Sequence, residues 1–146
     1  MPTIRVLGPE DAAVLDRMAT DVFDTPVDPR QTAEFLADPR HHLAVAPDGD
    51  VVVGIASGVC YVHADRPPEL WVNEVGVAPA HGGLGIGRRL LEALLERGRS
   101  LGCRQAWVGT GATNTPARRL YAAAGGVESP EAFVMVEFDL GHQESG

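Results

Sequence analysis

The chain contains no lysine: all 12 of its cationic side chains are arginines, set against 20 carboxylates, for a formal net charge of −8. Such a balance repels phosphate backbones and anionic lipid headgroups, so neither nucleic acid nor a membrane surface is expected as a partner. A cationic ligand suits it better, although acidity also serves solubility alone. The missing lysine excludes a P-loop nucleotide site, which needs Gly-Lys-Ser/Thr. Cysteine is almost absent. Cys60 and Cys103 lie far apart, match no metal or redox spacing, and read as reduced structural thiols. No apolar run reaches the roughly 18 residues of a membrane span. Met1-Pro2-Thr3-Ile4-Arg5 has no signal-peptide layout, and the expected location is the cytoplasm.

What is present is the composition of an ordinary folded domain: 146 residues, 45% hydrophobic and 22% charged. Residues 1–140 read as one domain and 141–146 as a loose tail. Thr3 to Leu7 alternates like a strand. Gly8-Pro9-Glu10-Asp11 opens a helix with Val14, Leu15, Met18 and Val22 on its apolar face. Asp28-Pro29-Arg30-Gln31 opens a second, which Asp38-Pro39 ends. His42–Ala46 and Val51–His63 read as strands joined by a Pro47-Asp48-Gly49-Asp50 turn, and Glu69–Val77 as a further strand. A helix is expected over Arg88–Leu101, a buried strand over Arg104–Val108, a helix from Asn114 to Ala124, and a final strand over Phe133–Leu140. The crossover from residue 69 to 108 implies one parallel pair. The fold class is therefore α/β, with a mixed, mostly antiparallel central sheet flanked by helices on both faces.

The most informative stretch runs from Val75 to Leu91, where a strand enters a glycine-rich loop and the loop enters a helix. Loop amides and a helix N-terminus converge on an anion, so Gly82, Gly83, Gly85 and Gly87 form a candidate pyrophosphate cradle, with Arg88 adding charge. A dinucleotide loop would follow the first strand of a repeating β-α-β series, and this one does not.

Val75-Gly76-Val77-Ala78-Pro79, Gly85-Ile86-Gly87-Arg88-Arg89-Leu90-Leu91 and Asn114-Thr115-Pro116-Ala117-Arg118-Arg119-Leu120-Tyr121 together resemble the GNAT N-acetyltransferases. The family begins the loop with Gln or Arg where this chain has Gly82. The resemblance implies the GNAT fold, acetyl-CoA as cosubstrate and no metal. It implies that the backbones of Val75 and Val77 pair with the pantetheine arm beside a bulge, that Asn114 contacts the arm, and that Tyr121 reaches the thioether sulfur. Some relatives dimerise through their sheets, so the resemblance leaves room for a homodimer.

Amine acetylation needs a proton removed from an ammonium and a proton given to a departing thiolate. Glu74, at the end of the strand leading to the cofactor, is the candidate base, and Tyr121 the candidate acid. A free glutamate titrates near ~4.3 and an alkylammonium near ~10.4, a gap worth roughly 8 kcal/mol, so Glu74 needs a raised pKa or a water relay. His81 is a candidate relay member. Adjacent His41 and His42 cannot point the same way on a strand, which weighs against a metal.

The acceptor is expected to be a small cationic amine held by Asp24, Glu69, Glu137 and Asp139. Regular alternation would put Glu69 on the face opposite Glu74 unless a bulge intervenes. Pro68 to Val77 and Tyr121 to Val127 look similar to the aminoglycoside 3-N-acetyltransferases of this family, which implies the 3-amino group of an aminoglycoside as target. Alternatives are another amine (a polyamine, a peptide N-terminus or a protein lysine) and a non-catalytic acyl-CoA-binding module.

Overall fold

A computed structural model describes residues 2–141. Five strands lie in spatial order β1-β2-β3-β4-β5: Arg5–Val6, His41–Asp48, Val51–Tyr61, Glu69–Val77 and Ala106–Trp107. The first four pair antiparallel and β5 joins β4 in parallel, giving the mixed sheet that the chain order implies. Helices α1 (Pro29–Ala37), α2 (Ile86–Ser100) and α3 (Thr115–Ala123) complete the fold with a 3-10 segment over Pro9–Asp16. Among the described residues no helix is long and apolar enough to cross a membrane.

The two faces of the sheet carry different helices because the strands present different side chains to them. On one face Ala44, Ala46, Gly54, Ala56 and Gly58 line up by register, and α2 lies against them. A Cβ on Gly54 would come within 2.9 Å of Leu90, and one on Gly58 within 2.8 Å of the Trp71 carbonyl. Small residues here let Ile86, Leu90 and Leu94 of α2 become almost fully buried. Each such side chain contributes roughly 1.5–3 kcal/mol by leaving water. The opposite face, with Leu43 and Ser57, receives α1 and the 3-10 segment.

Helix α1 starts where the sequence places it. The Asp28 carboxylate accepts from the N–H groups of Arg30 and Gln31 at 2.9 and 3.3 Å. The preceding helix is shorter than its apolar pattern suggests. It ends at Asp16 as a 3-10 segment, because Val52 donates to the Arg17 carbonyl and Ala19 to the Val52 carbonyl. Those two bonds draw the chain into a β-bridge at Met18.

Two expectations near the C-terminus fail. The buried strand expected over Arg104–Val108 is only Ala106–Trp107, and both residues are exposed. The strand expected over Phe133–Leu140 does not form, and its side chains stand in solvent, with Val134 83% and Leu140 95% exposed. Its β-branched and aromatic composition suits a strand, but a strand is completed only by pairing, and among the described residues this segment pairs with none. Of the expected tail, residues 142–146 lie outside the described residues.

Candidate active site

The site is organised by an irregularity in β4. Ser57 pairs with Glu74 and Gly58 with Val72, which leaves Asn73 as an extra residue. This β-bulge reverses the alternation, so Glu74 shares a face with Trp71 and Glu69 instead of opposing them. The same step puts Val75 and Val77 on the α2 face, where Val77 packs 3.6 Å from the Cβ position of Gly87. On its other edge β4 pairs with β5 only through Leu70 and Trp71. Beyond Trp71 the strands part, and among the described residues the β5-facing backbone of β4 has no strand beside it.

Glu74 borders a cavity of about 280 Å³ lined by Leu15, Phe23, Val27, Phe35, Leu43 and Ser57, among others. Its carboxylate makes no hydrogen bond or ion pair among the described residues. Burial pushes its pKa above the ordinary glutamate value, and the charge of Asp24 adds to the rise. The shift narrows the gap to an amine. Gly76, two residues on, shows why the roof of the cavity can sit so low: a Cβ there would lie 2.3 Å from the Val22 carbonyl oxygen.

The loop after β4 fits a diphosphate. Gly83 and Gly85 have φ of 77° and 79°, the left-handed region that glycine adopts without strain. A Cβ at either would meet nothing within 4 Å, so their outer side is open. Among the described residues the N–H groups of residues 83 to 88 have no backbone acceptor, leaving a row of donors at the start of α2. Gly82 differs from its expected role, because its N–H already donates to the Pro79 carbonyl at 3.2 Å. Arg88 is held by Glu92 at 2.7 Å, and Arg89 donates to the Pro2 carbonyl at 2.7 Å. The cradle is therefore built mainly of backbone amides.

Asn114 caps α3, its side-chain oxygen accepting from the Ala117 N–H at 3.2 Å, which leaves its amide nitrogen and the oxygen's second lone pair for a ligand. Tyr121 is half-buried against the core, and burial raises its pKa, which keeps the hydroxyl protonated.

The acidic cluster expected around the acceptor does not assemble. Asp24 acts on Glu74, but Glu69 sits at the far end of β4 with partners of its own. Glu69 accepts from Arg66 at 2.8 Å and from the Trp107 indole, and His63 lies 3.0 Å away. Those contacts hold its carboxyl below the ordinary range, Arg66 contributing most. Glu137 and Asp139 stand on the exposed segment after α3, away from the cavity lining. His81 is tied to Asp48 at 3.0 Å, which removes it from a relay beside Glu74. Sequence reasoning missed Ser57 and the apolar lining. Ser57 was the findable one: it is a lone hydroxyl in the apolar run from Val51 to Cys60.

A short parallel strand pair that parts beyond Trp71, a row of free amides and a carboxylate without a partner among the described residues thus stand together beside a cavity. Residues 12–125 match the acetyltransferase (GNAT) family, and the chain belongs to that family. Among curated proteins it is 38% identical over 96 residues to the N-alpha-acetyltransferase RimI of Mycobacterium tuberculosis (strain ATCC 25618 / H37Rv), a match covering 64% of this chain and 60% of the relative. Among solved structures it resembles AAC(6')-Iy in complex with the bisubstrate analog CoA-S-monomethyl-acetylneamine. The TM-score is 0.77 at 19% identity, over 94% of this chain and 99% of the other. It also resembles the aminoglycoside acetyltransferase meta-AAC0020 from an uncultured soil metagenomic sample, solved with sisomicin. There the TM-score is 0.78 at 17% identity, over 95% of this chain and 96% of the other. At those identities the structural likeness speaks to the fold.

Proposed function

We propose that this protein transfers acetyl from acetyl-CoA to a primary amine of a small cationic molecule, with an aminoglycoside as the acceptor. The observation that carries this reading is Glu74, a carboxylate without a partner, raised in pKa and facing a cavity beside the β4–β5 split. Bound at the cradle, acetyl-CoA supplies an acetyl thioester. The amides of residues 83 to 88 hold the diphosphate, and the free edge of β4 aligns the pantetheine arm. Glu74 attracts the acceptor's ammonium and takes its proton. A β4 N–H polarises the carbonyl under attack. Tyr121 gives a proton to the departing sulfur.

The 3-amino position rests on residue likeness alone, since the name of AAC(6')-Iy specifies 6'. A second reading, acetylation of a peptide α-amine, is favoured by the apolar cavity lining and by the likeness to RimI. One assay separates the two: thiol release from acetyl-CoA with a panel of aminoglycosides, polyamines and short peptides. Turnover with gentamicin, sisomicin or fortimicin supports the first reading. Turnover with peptides alone establishes the second.

A further inference from the structure

A pair of thiols lies on the α2 face of the sheet, apart from the acceptor cavity. Cys60, near the end of β3, and Cys103, in the turn between α2 and β5, are both buried with their sulfurs 3.2 Å apart. They are 43 positions apart in sequence, which explains why spacing alone gave no redox signal. The two are almost equally buried, but Cys103 borders a cavity. It lines a second cavity of about 120 Å³ with Leu70, Leu95, Gly98, Arg99, Arg104 and Gln105. No carboxylate lines that cavity. Arg99 is shared with Glu96 at 3.0 Å, while Arg104 has no ion pair among the described residues. A thiol at the wall of a cleft, in contact with a second thiol behind it, can be oxidised there and then resolved within the same molecule.

We propose that Cys103 and Cys60 form a peroxide-responsive pair, in which Cys103 is oxidised first and Cys60 then closes an intramolecular disulfide. In the first step the Cys103 thiolate attacks one oxygen of a hydroperoxide. A sulfur–oxygen bond forms, the oxygen–oxygen bond breaks, and water or an alcohol leaves. Cys103 is now a sulfenic acid and the peroxide is reduced. In the second step the Cys60 sulfur attacks the Cys103 sulfur, the sulfur–oxygen bond breaks, and hydroxide leaves with the Cys60 proton as water. Two thiols and one hydroperoxide thus give one disulfide, one alcohol or water, and one further water. The order follows from the cavity, whose lining includes Cys103 and not Cys60, while burial raises the Cys60 thiol. The resulting link would bind the end of β3 to the start of β5, with β4, the amide cradle and α2 inside the closed loop.

The test is hydrogen peroxide titration of the reduced, full-length protein, followed by intact mass, non-reducing peptide mapping and thermal unfolding. The expected product has lost two hydrogens and yields a Cys60–Cys103 cross-linked peptide. It unfolds about 5 °C or more above the reduced form, and dithiothreitol reverses it. Cys60→Ser should stop at a sulfenic acid on Cys103 that dimedone traps, and Cys60→Ala should do the same if the buried site rejects a hydroxyl. Cys103→Ser should leave Cys60 unmodified. Reaction at Cys60 first, over-oxidation of wild-type Cys103 with Cys60 still free, links between molecules only, or two untouched thiols in excess peroxide would each overturn the proposal.

Discussion

The two ends of β4 hold two glutamates on one face of one strand, and they have opposite fates. Glu69 is enclosed by a guanidinium, an indole and an imidazole, which hold it ionised and lock the β3–β4 loop to β5. Glu74 has no partner among the described residues and is raised instead by burial and by Asp24. The difference shows that on this strand a carboxylate's role is set by who meets it: a satisfied one braces the sheet, and an unsatisfied one is left free to exchange a proton.

The largest effect should come from removing the free carboxylate. Glu74→Gln should lower kcat/KM for the amine at least tenfold near neutral pH while the far-ultraviolet circular dichroism stays unchanged. It should also raise Tm slightly. A glutamate whose folded pKa is raised loses stability as pH climbs from the unfolded value, about 4.3, toward the folded one, and at neutrality it carries an uncompensated charge. Next, Tyr121→Phe keeps the packing and removes the hydroxyl, so kcat should fall several-fold with KM little changed. Full turnover would end the proton-donor role. At the other end of the strand, Glu69→Gln should lower Tm and leave kcat per folded molecule nearly intact. The sign in pH is the reverse of that at Glu74. Glu69 is held down, so its stabilisation is present above about 4.3 and lost as pH falls through the folded value, and the variant should flatten that acid limb in a Tm-versus-pH series. The smallest effect belongs to Asp24→Asn. Relieving its repulsion should move the acid limb of the kcat/KM profile to lower pH and raise Tm slightly, less than Glu74→Gln does.

Much of this arrangement was legible in the residues themselves. Strand β4 was read to its true ends because prolines flank it at 68 and 79, and α2 was located because Leu90, Leu91, Leu94 and Leu95 repeat at helical spacing, although it starts at Ile86 and ends at Ser100 where Arg88 and Leu101 were expected. Glu74 was named from its place before the glycine loop. A bulge near Val75 was expected from the resemblance, but its place at Asn73 was not legible, because the register between two strands has no local signature. Glu69 looked like an acceptor ligand from its charge alone, when its partners come from a loop and from β5. The exposed segment after α3 misled for the opposite reason: its pattern is strong, but pairing is a property of two elements.

The contact between Gly76 and the Val22 carbonyl carries a consequence for how the protein can vary. The stretch that roofs the acceptor rests directly on the strand that would guide the cofactor, with no side chain between them as a cushion. The two halves of the substrate list are thus governed from one point. New preferences can arise by exchanging side chains between Phe23 and Gln31, but shifting the backbone of that stretch would unseat the donor along with the acceptor.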